Sequence, residues 1–157
     1  MLSKTSTSTP TSIPITLTRF NIQTFKECED WKSKNNYPIT EAIYNSPLQI
    51  AVRLPINTNL FVLEMNNSTN KIEGFSLIKN RLVLDKKYKI YSDNNYNRFT
   101  YKGKIRIKRT VLNREEEKIM GILDTLLFTG SRHMKRGHGI QILPSWISNN
   151  RHINFSL

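Results

Sequence analysis

Residues 59–79 hold two apolar runs, NLFVLEM (59–65) and KIEGFSLIK (71–79), separated by the polar NNSTN. Asn, Ser and Thr favour turns because their side chains bond the local backbone and Asn tolerates left-handed conformations. Two strand-length apolar runs across so short a turn predict a β-hairpin, and the rest of the chain has to cover it. Gly74 lies inside the second run, where glycine signals a bulge or a close backbone approach.

The clearest helical pattern is NREEEKIMGILDTLLF at 113–128. Asn113 suits the N-cap, and Glu115, Glu116 and Glu117 complement the positive end of the helix dipole. Ile119, Ile122, Leu123, Leu126 and Leu127 recur at helical spacing and form the expected buried stripe. Gly130 supplies a left-handed stop. The dipole accounts for the three glutamates, so no catalytic role is assigned to them. A first helix is predicted over 24–33, from the capping-box spacing of Thr24 and Glu27 and the shared face of Phe25, Cys28 and Trp31. A short helical turn is expected at 40–44, strands at 48–54, 82–84 and 87–91, a turn at 93–95 and an apolar closing segment at 140–147. The Ser/Thr/Pro-rich residues 1–16 are expected to be a disordered tail, and 148–157 a second tail. The whole predicts one α+β domain over 17–147: a curved, mostly antiparallel sheet of five or six strands, or a small barrel, flanked by two helices.

The chain of 157 residues carries a net charge of +12, and that charge is uneven. Residues 1–80 contain eight Lys or Arg against six Asp or Glu, whereas residues 81–157 contain sixteen against six. An excess gathered in one half points to a polyanion-facing surface. A solvated or acidic-protein-binding surface is the competing reading. A membrane surface lacks the basic amphipathic helix it needs. The stretch RFTYKGKIRIKR at 98–109 sharpens the first reading. Read as one strand, it places Phe99, Tyr101, Ile105 and Ile107 on one parity and Arg98, Thr100, Lys102, Lys104, Arg106 and Lys108 on the other. Same-face neighbours on a strand lie ~6.6 Å apart, within a Debye length at physiological salt, so such cations repel unless an anion is present.

These residues, with Lys87 and Lys89, are candidate phosphate contacts, because Lys and Arg neutralise phosphates and release condensed counterions. Tyr88, Tyr91 and Tyr96 are candidates for stacking on unpaired bases. A second candidate is the loop GSRHMKRGHG at 130–139, where glycines let backbone N–H groups approach an anion and Arg132, Lys135 and Arg136 add charge. It lacks the spacing of a Walker loop. No metal or cofactor site is expected, since His133, His138, His152 and Cys28 show no ligand spacing. Cys28 reads as a small buried hydrophobe. Glu64, Glu73, Asp85, Asp93 and Asp124 are scattered, so no catalytic residue is named. One cysteine excludes an intrachain disulfide and fits a reducing compartment. No apolar run nears ~18 residues, and the N-terminus lacks a secretory pattern. The expectation is an intracellular protein of cytoplasm, nucleus or virion, neither secreted nor membrane-bound, with its oligomeric state open.

The order of a helix, the strand LFVLEM, the Gly-bearing return strand KIEGFSLIK and aromatic-rich strands resembles the PUA-like small β-barrels, which include YTH and EVE domains, over residues 20–145. That resemblance implies binding of RNA or modified bases. Trp31 and Trp146 match no cage motif, so no cage residue is carried over. The segments NRFTYKGKIRI and GSRHMKRGHGI are similar to basic proteins of large DNA viruses, which implies a viral source rather than an activity. The expected function is nucleic-acid binding, DNA or RNA, through the basic strand and the Gly-rich loop. The alternatives are a structural protein of a virion or ribonucleoprotein and a nucleic-acid-processing enzyme.

Overall fold

The structure is a computed structural model that describes residues 13–149. The expected tail residues 1–12 and 150–157, with His152, lie outside the described residues. The elements are β1 (Ile15–Phe20), α1 (Ile22–Lys34), β2 (Ala42–Ser46), β3 (Asn59–Asn66), β4 (Lys71–Lys79), β5 (Phe99–Gly103), β6 (Ile105–Lys108), α2 (Arg114–Phe128), β7 (Gln141–Ile142) and the helical turn α3 (Ser145–Ser148), with 3-10 turns at Asn94–Asn97 and Arg109–Val111. Five strands form an open, mostly antiparallel sheet in the order β6-β4-β3-β1-β7, and β2 pairs with β5 in a separate ribbon. The one parallel pair is β1 with β3.

The hairpin 59–79 is the spine. Along β3, Leu60 and Val62 face one core, while Leu63 and Met65 face the other. The first core is covered by Cys28 of α1 and by Ala42, Ile43, Tyr44 and Tyr101 of the ribbon. The second is covered by Met120, Leu123, Leu127 and Phe128 of α2 and by Ile147 of α3. A strand buried on both faces reads as a continuous apolar run rather than an alternating one, which is the pattern of LFVLEM. Register slips between Glu64 and Met65, so that Glu73 bulges out of β4. The bulge flips parity, and Ile72 and Ile78 face opposite cores.

The helices follow their capping chemistry. In α2, Asn113 accepts from Glu116 N and the Glu116 side chain accepts from Asn113 N, both at 2.9 Å. Gly130 follows with φ +80°. Its buried stripe holds Leu123 and Leu127 with Met120, while Ile122 is exposed. In α1 the cap is Asn21, not Thr24: the Asn21 side chain accepts from Thr24 N, and Thr24 Oγ1 accepts from Asn21 N. The helix therefore starts two residues earlier than the Thr24–Glu27 spacing predicts.

Several expectations are corrected. Ile15 and Thr16 belong to β1, because Ile15–Phe20 pairs with Phe61–Asn66, so they are not tail. Residues 42–46 form a strand rather than a helical turn, paired with Phe99–Gly103. Segments 48–54, 82–84 and 87–91 are not strands: Val83 N makes a single bond to Thr100 O, and in the other two side chains take backbone groups that a ladder would use. The Asn97 amide accepts from Ile90 N and Tyr91 N and donates to Tyr91 O. Ile50 N donates to the Tyr101 hydroxyl, and Asn80 donates to Leu54 O.

The largest correction concerns 98–109, which is two strands in two sheets. It breaks at Lys104, with β5 on the ribbon and β6 on the main sheet. Gly103 lies where the layers cross: a methyl group there would sit 2.0 Å from Leu77 O. After the break Arg106 turns inward and Ile105 is exposed. The cause is Glu64, a 1 % exposed carboxylate on β3. Arg106 meets it with two hydrogen bonds, Nε to Oε2 at 2.9 Å and Nη2 to Oε1 at 2.6 Å. Gly74, between them on β4, leaves the lane open: a methyl group there would lie 3.4 Å from Glu64 Oε1 and 2.6 Å from Ile107 O. The Tyr44 hydroxyl also donates to Glu64 and lies 2.7 Å from Ser76 Oγ. Burial, and then the charge of Glu64, raise the Tyr44 phenol well above its ordinary value, so it remains a donor.

Removing one member of a buried pair strands the other charge, which costs about 3–5 kcal/mol, whereas replacing both with apolar groups can be neutral. Arg106→Met is expected to lower the unfolding free energy by about that amount in urea titrations, and the added substitution Glu64→Leu to recover most of it. A single-variant loss below about 1 kcal/mol, the scale of an exposed pair, would contradict this account.

Candidate functional site

The described residues split the expected basic surface in two. Lys104 and Lys108 flank β6 at one edge of the sheet, while the 130–139 loop leads into β7 at the other. Four strand spacings separate those edges, about 19 Å. Lys102 and Lys104 line a cleft with Tyr37, Glu41 and Lys79, and no residue of the loop lines it. Arg106 is corrected as a phosphate contact, being buried and paired with Glu64. Lys102 is half-buried, donates to the Tyr88 hydroxyl at 2.8 Å and lies 4.5 Å from the Tyr88 ring centre. Apart from Arg106, none of the ten candidate cations forms an ion pair among the described residues. Lys87, Lys89, Arg98, Lys104, Lys108, Arg132 and Arg136 are exposed, and Lys135 is half-buried.

The aromatic candidates separate likewise. Tyr88 is buried and offers no ring face to a base, which corrects it, whereas Tyr91, also buried, lines the cavity at the loop edge of the sheet. Tyr88 packs edge-on to Trp31 and donates to Asp85, whose carboxyl is held below its usual range chiefly by that bond. Tyr91 lies in the first core, edge-on to Tyr96. Tyr96 is exposed and stands on the Asn94–Asn97 turn. Cys28 is buried as expected, and burial pushes its thiol up to about 11.

The loop edge holds the one candidate region the structure brings together. A cavity of about 200 Å³ opens there, lined by Arg19 of β1, by Asn21 and Thr24 of α1, by Asn45, Asn67 and Tyr96, and by Lys135, Gly137, His138 and Gly139 of the loop. No Asp or Glu lines it. Gly137 and Gly139 have φ of +115° and +76°, a conformation that side-chain-bearing residues rarely adopt. A methyl group on Gly137 would also lie 2.9 Å from Gln141 Oε1 and 3.2 Å from Arg19 Nη1. The Asn67 amide donates to Lys135 O and pins the loop to the β3–β4 turn. Arg132 stacks over Trp146, 4.2 Å from the ring centre. A neighbouring cleft holds Lys86, Lys87, Asn97 and Arg98. Tyr96 in the cavity and Asn97 in the cleft are consecutive, so the two basic regions meet at that turn.

Arg19 was not among the sequence candidates, although a signal for it exists. In ITLTRF it falls on the parity of Ile15 and Leu17, and a cation on the apolar parity of a strand needs an explanation. Burial lowers its guanidinium to about 10. The acidic side chains show no comparable gathering. Glu73 accepts from Asn66, Asp93 caps the Asn94–Asn97 turn, and Asp124 pairs with Arg109 at 2.8 Å. No group of three or more His, Cys, Asp or Glu able to hold a metal lies among the described residues. No helix among them is long and apolar enough to cross a membrane. No protein-family model, no curated protein and no solved structure matches the chain.

Two predictions follow from these anchors. Asn97→Ala leaves the N–H groups of Ile90 and Tyr91 unpaired in a buried setting, at about 1–3 kcal/mol for each such group. It should lower stability by at least about 2 kcal/mol and speed amide exchange at Ile90 and Tyr91; unchanged exchange would refute the anchoring role. Hydrogen bonds from Arg109 hold Glu117 below the usual carboxylate range. A depressed folded value gives stability that is complete above the unfolded carboxylate pKa, about 4.3, and is lost as pH falls through the folded one. Glu117→Gln should therefore lower Tm at pH 7 by the modest amount an exposed pair contributes, and the difference from wild type should shrink as pH falls below about 4.5, giving a flatter acid limb.

Proposed function

We propose that this protein binds nucleic acid through the loop edge of its sheet. Arg132, Lys135 and Arg136, joined across the Asn94–Asn97 turn by Lys87, Lys89 and Arg98, contact phosphates there, and Tyr96 is the aromatic side chain available to a base. The observation that carries the reading is that these six cations form no ion pair among the described residues, although the same chain pairs Arg106 and Arg109 tightly. Unpaired cations near one another repel, and a polyanion relieves that repulsion while releasing counterions. The resemblance to RNA-binding PUA-like domains agrees with this reading. The viral resemblance fits an intracellular or virion setting.

With six cations in reach, log K for duplex DNA should fall with log salt at a slope of up to about −5. Fluorescence polarisation against single- and double-stranded DNA and RNA from low to physiological salt measures it. Lys135→Ala and Arg136→Ala are each expected to reduce the slope by about 1, whereas Lys104→Ala and Lys108→Ala, at the opposite edge, leave it nearly unchanged. Absence of binding to every one of these nucleic acids at low salt would overturn the proposal. Equal effects at both edges would overturn the assignment to the loop edge.

A further inference from the structure

Arg19, next to the last residue of β1, reaches the 130–139 loop with a guanidinium taken out of water and left mostly unused. Its Nε–H donates to Met134 O at 2.6 Å, but Nη1 and Nη2 are buried and have no partner among the described residues. Guanidinium carries five N–H donors, so four are idle. Buried polar groups in native proteins are nearly always bonded, and a buried charge is normally paired. The contrast with Arg106 is direct, since that arginine has Glu64 and Arg19 has no carboxylate in its surroundings. Asn67 adds a second orphan. Its amide nitrogen is used on Lys135 O, and its Oδ1 is buried without a donor.

Phe20, Pro47 and Tyr91 make part of the cavity wall apolar, and several of its other features favour a negative group. The first turn of α1 contributes Asn21 and Thr24 to the lining, at the positive end of a thirteen-residue helix. Lys135 adds charge, and the backbone at Gly137 lies so close to the guanidinium that a methyl group there would sit 3.2 Å from Arg19 Nη1. The volume of about 200 Å³ falls below the ~300–1,000 Å³ of sites that engulf a whole small ligand. The space therefore suits one group at the end of a ligand. A mid-strand phosphodiester has to let its chain leave on both sides, whereas a terminal monoester enters end-on. The monoester also carries about −1.5 to −2 charges at pH 7, matching Arg19 with Lys135.

We infer that this cavity is a terminal-phosphate pocket, in which the Arg19 fork and the Gly137–Gly139 backbone hold the phosphate monoester at the end of a nucleic-acid strand. The identity of the ligand beyond the phosphoryl group rests on the nucleic-acid reading above. A hydroxyl of the terminal sugar, or a water between sugar and protein, supplies the donor that Asn67 Oδ1 lacks.

The test has two arms. In the first, inorganic phosphate, and adenosine 5′-monophosphate against adenosine, are titrated into the wild-type protein and followed by NMR. Phosphate and the monophosphate should shift the Arg19 Nε–H and the Gly137 and Gly139 amides, and adenosine should not. In the second, labelled oligonucleotides that differ only in a 5′- or 3′-terminal phosphate or hydroxyl are compared by polarisation. One phosphorylated end should bind at least tenfold tighter, an advantage lost in Arg19→Gln and reduced in Lys135→Ala, whose backbone contacts remain. Lys135→Ala and the wild-type NMR arm keep the inference testable if Arg19→Gln does not fold. If phosphorylated and hydroxyl ends bind alike and phosphate leaves these resonances in place, the cavity holds only water and the inference fails, while the broader nucleic-acid reading stands. If phosphate binds at Arg19 and no strand binds in any salt, the pocket stands and the nucleic-acid reading fails.

Discussion

The fold is organised around one buried carboxylate. Glu64 lies on β3, the middle strand of the main sheet, 1 % exposed, and an uncompensated charge there would be very costly. Arg106 meets it with two bonds, Tyr44 with a third, and Glu29 of α1 comes within 3.9 Å of the same arginine. Each partner belongs to a different element: β6, the ribbon and the first helix. The pair therefore constrains how strand 105–108 joins the sheet, which face of the ribbon turns inward and where α1 lies. Gly74 and Ser76 on the intervening strand are small, as a charge pair reaching across β4 requires.

Two arginines of this chain enter the interior, and their fates differ. Arg106 is neutralised inside the protein, so it organises structure and is lost to ligands. Arg19 is desolvated to a similar end but finds only the carbonyl of Met134. The same physical cost is thus met within the fold in one case and left open in the other. That asymmetry separates scaffold from site more clearly than the total charge of the chain, which treats every cation alike.

Much of the scaffold is legible in the sequence where the pattern is local. The hairpin 59–79 and the helix 113–128 are specified by their own apolar spacing, turn residues and caps, and both stand as read. The rest depends on distant partners. Ile15–Phe20 alternates as a strand does, but its parallel partner Phe61–Asn66 lies more than forty residues on, and nothing in ITLTRF names it. Residues 87–91 read as a strand, but Ile90 and Tyr91 bond to the side chain of Asn97, a polar residue that takes the place of a neighbouring strand. In 98–109 alternation was a sound rule applied across a break. Gly103 lets the chain change sheets, and beyond it a buried glutamate, not the apolar periodicity, decides which side chain turns inward. The Gly-rich loop was legible from its own residues as a basic, glycine-bearing loop, and the structure places part of it on the cavity wall. Its partner Arg19 lies more than a hundred residues earlier and is joined to it only by folding.

The two free edges of the main sheet are short: β6 offers four residues and β7 only two. An exposed strand is a template on which a second chain can extend the sheet, and brevity is one way proteins suppress that route. At the β6 border, exposed lysines at both ends of the strand add mutual repulsion between copies. The molecule can thus carry a long, apolar hairpin at its centre without inviting the fibrous self-association that such a segment would promote if it lay at the rim.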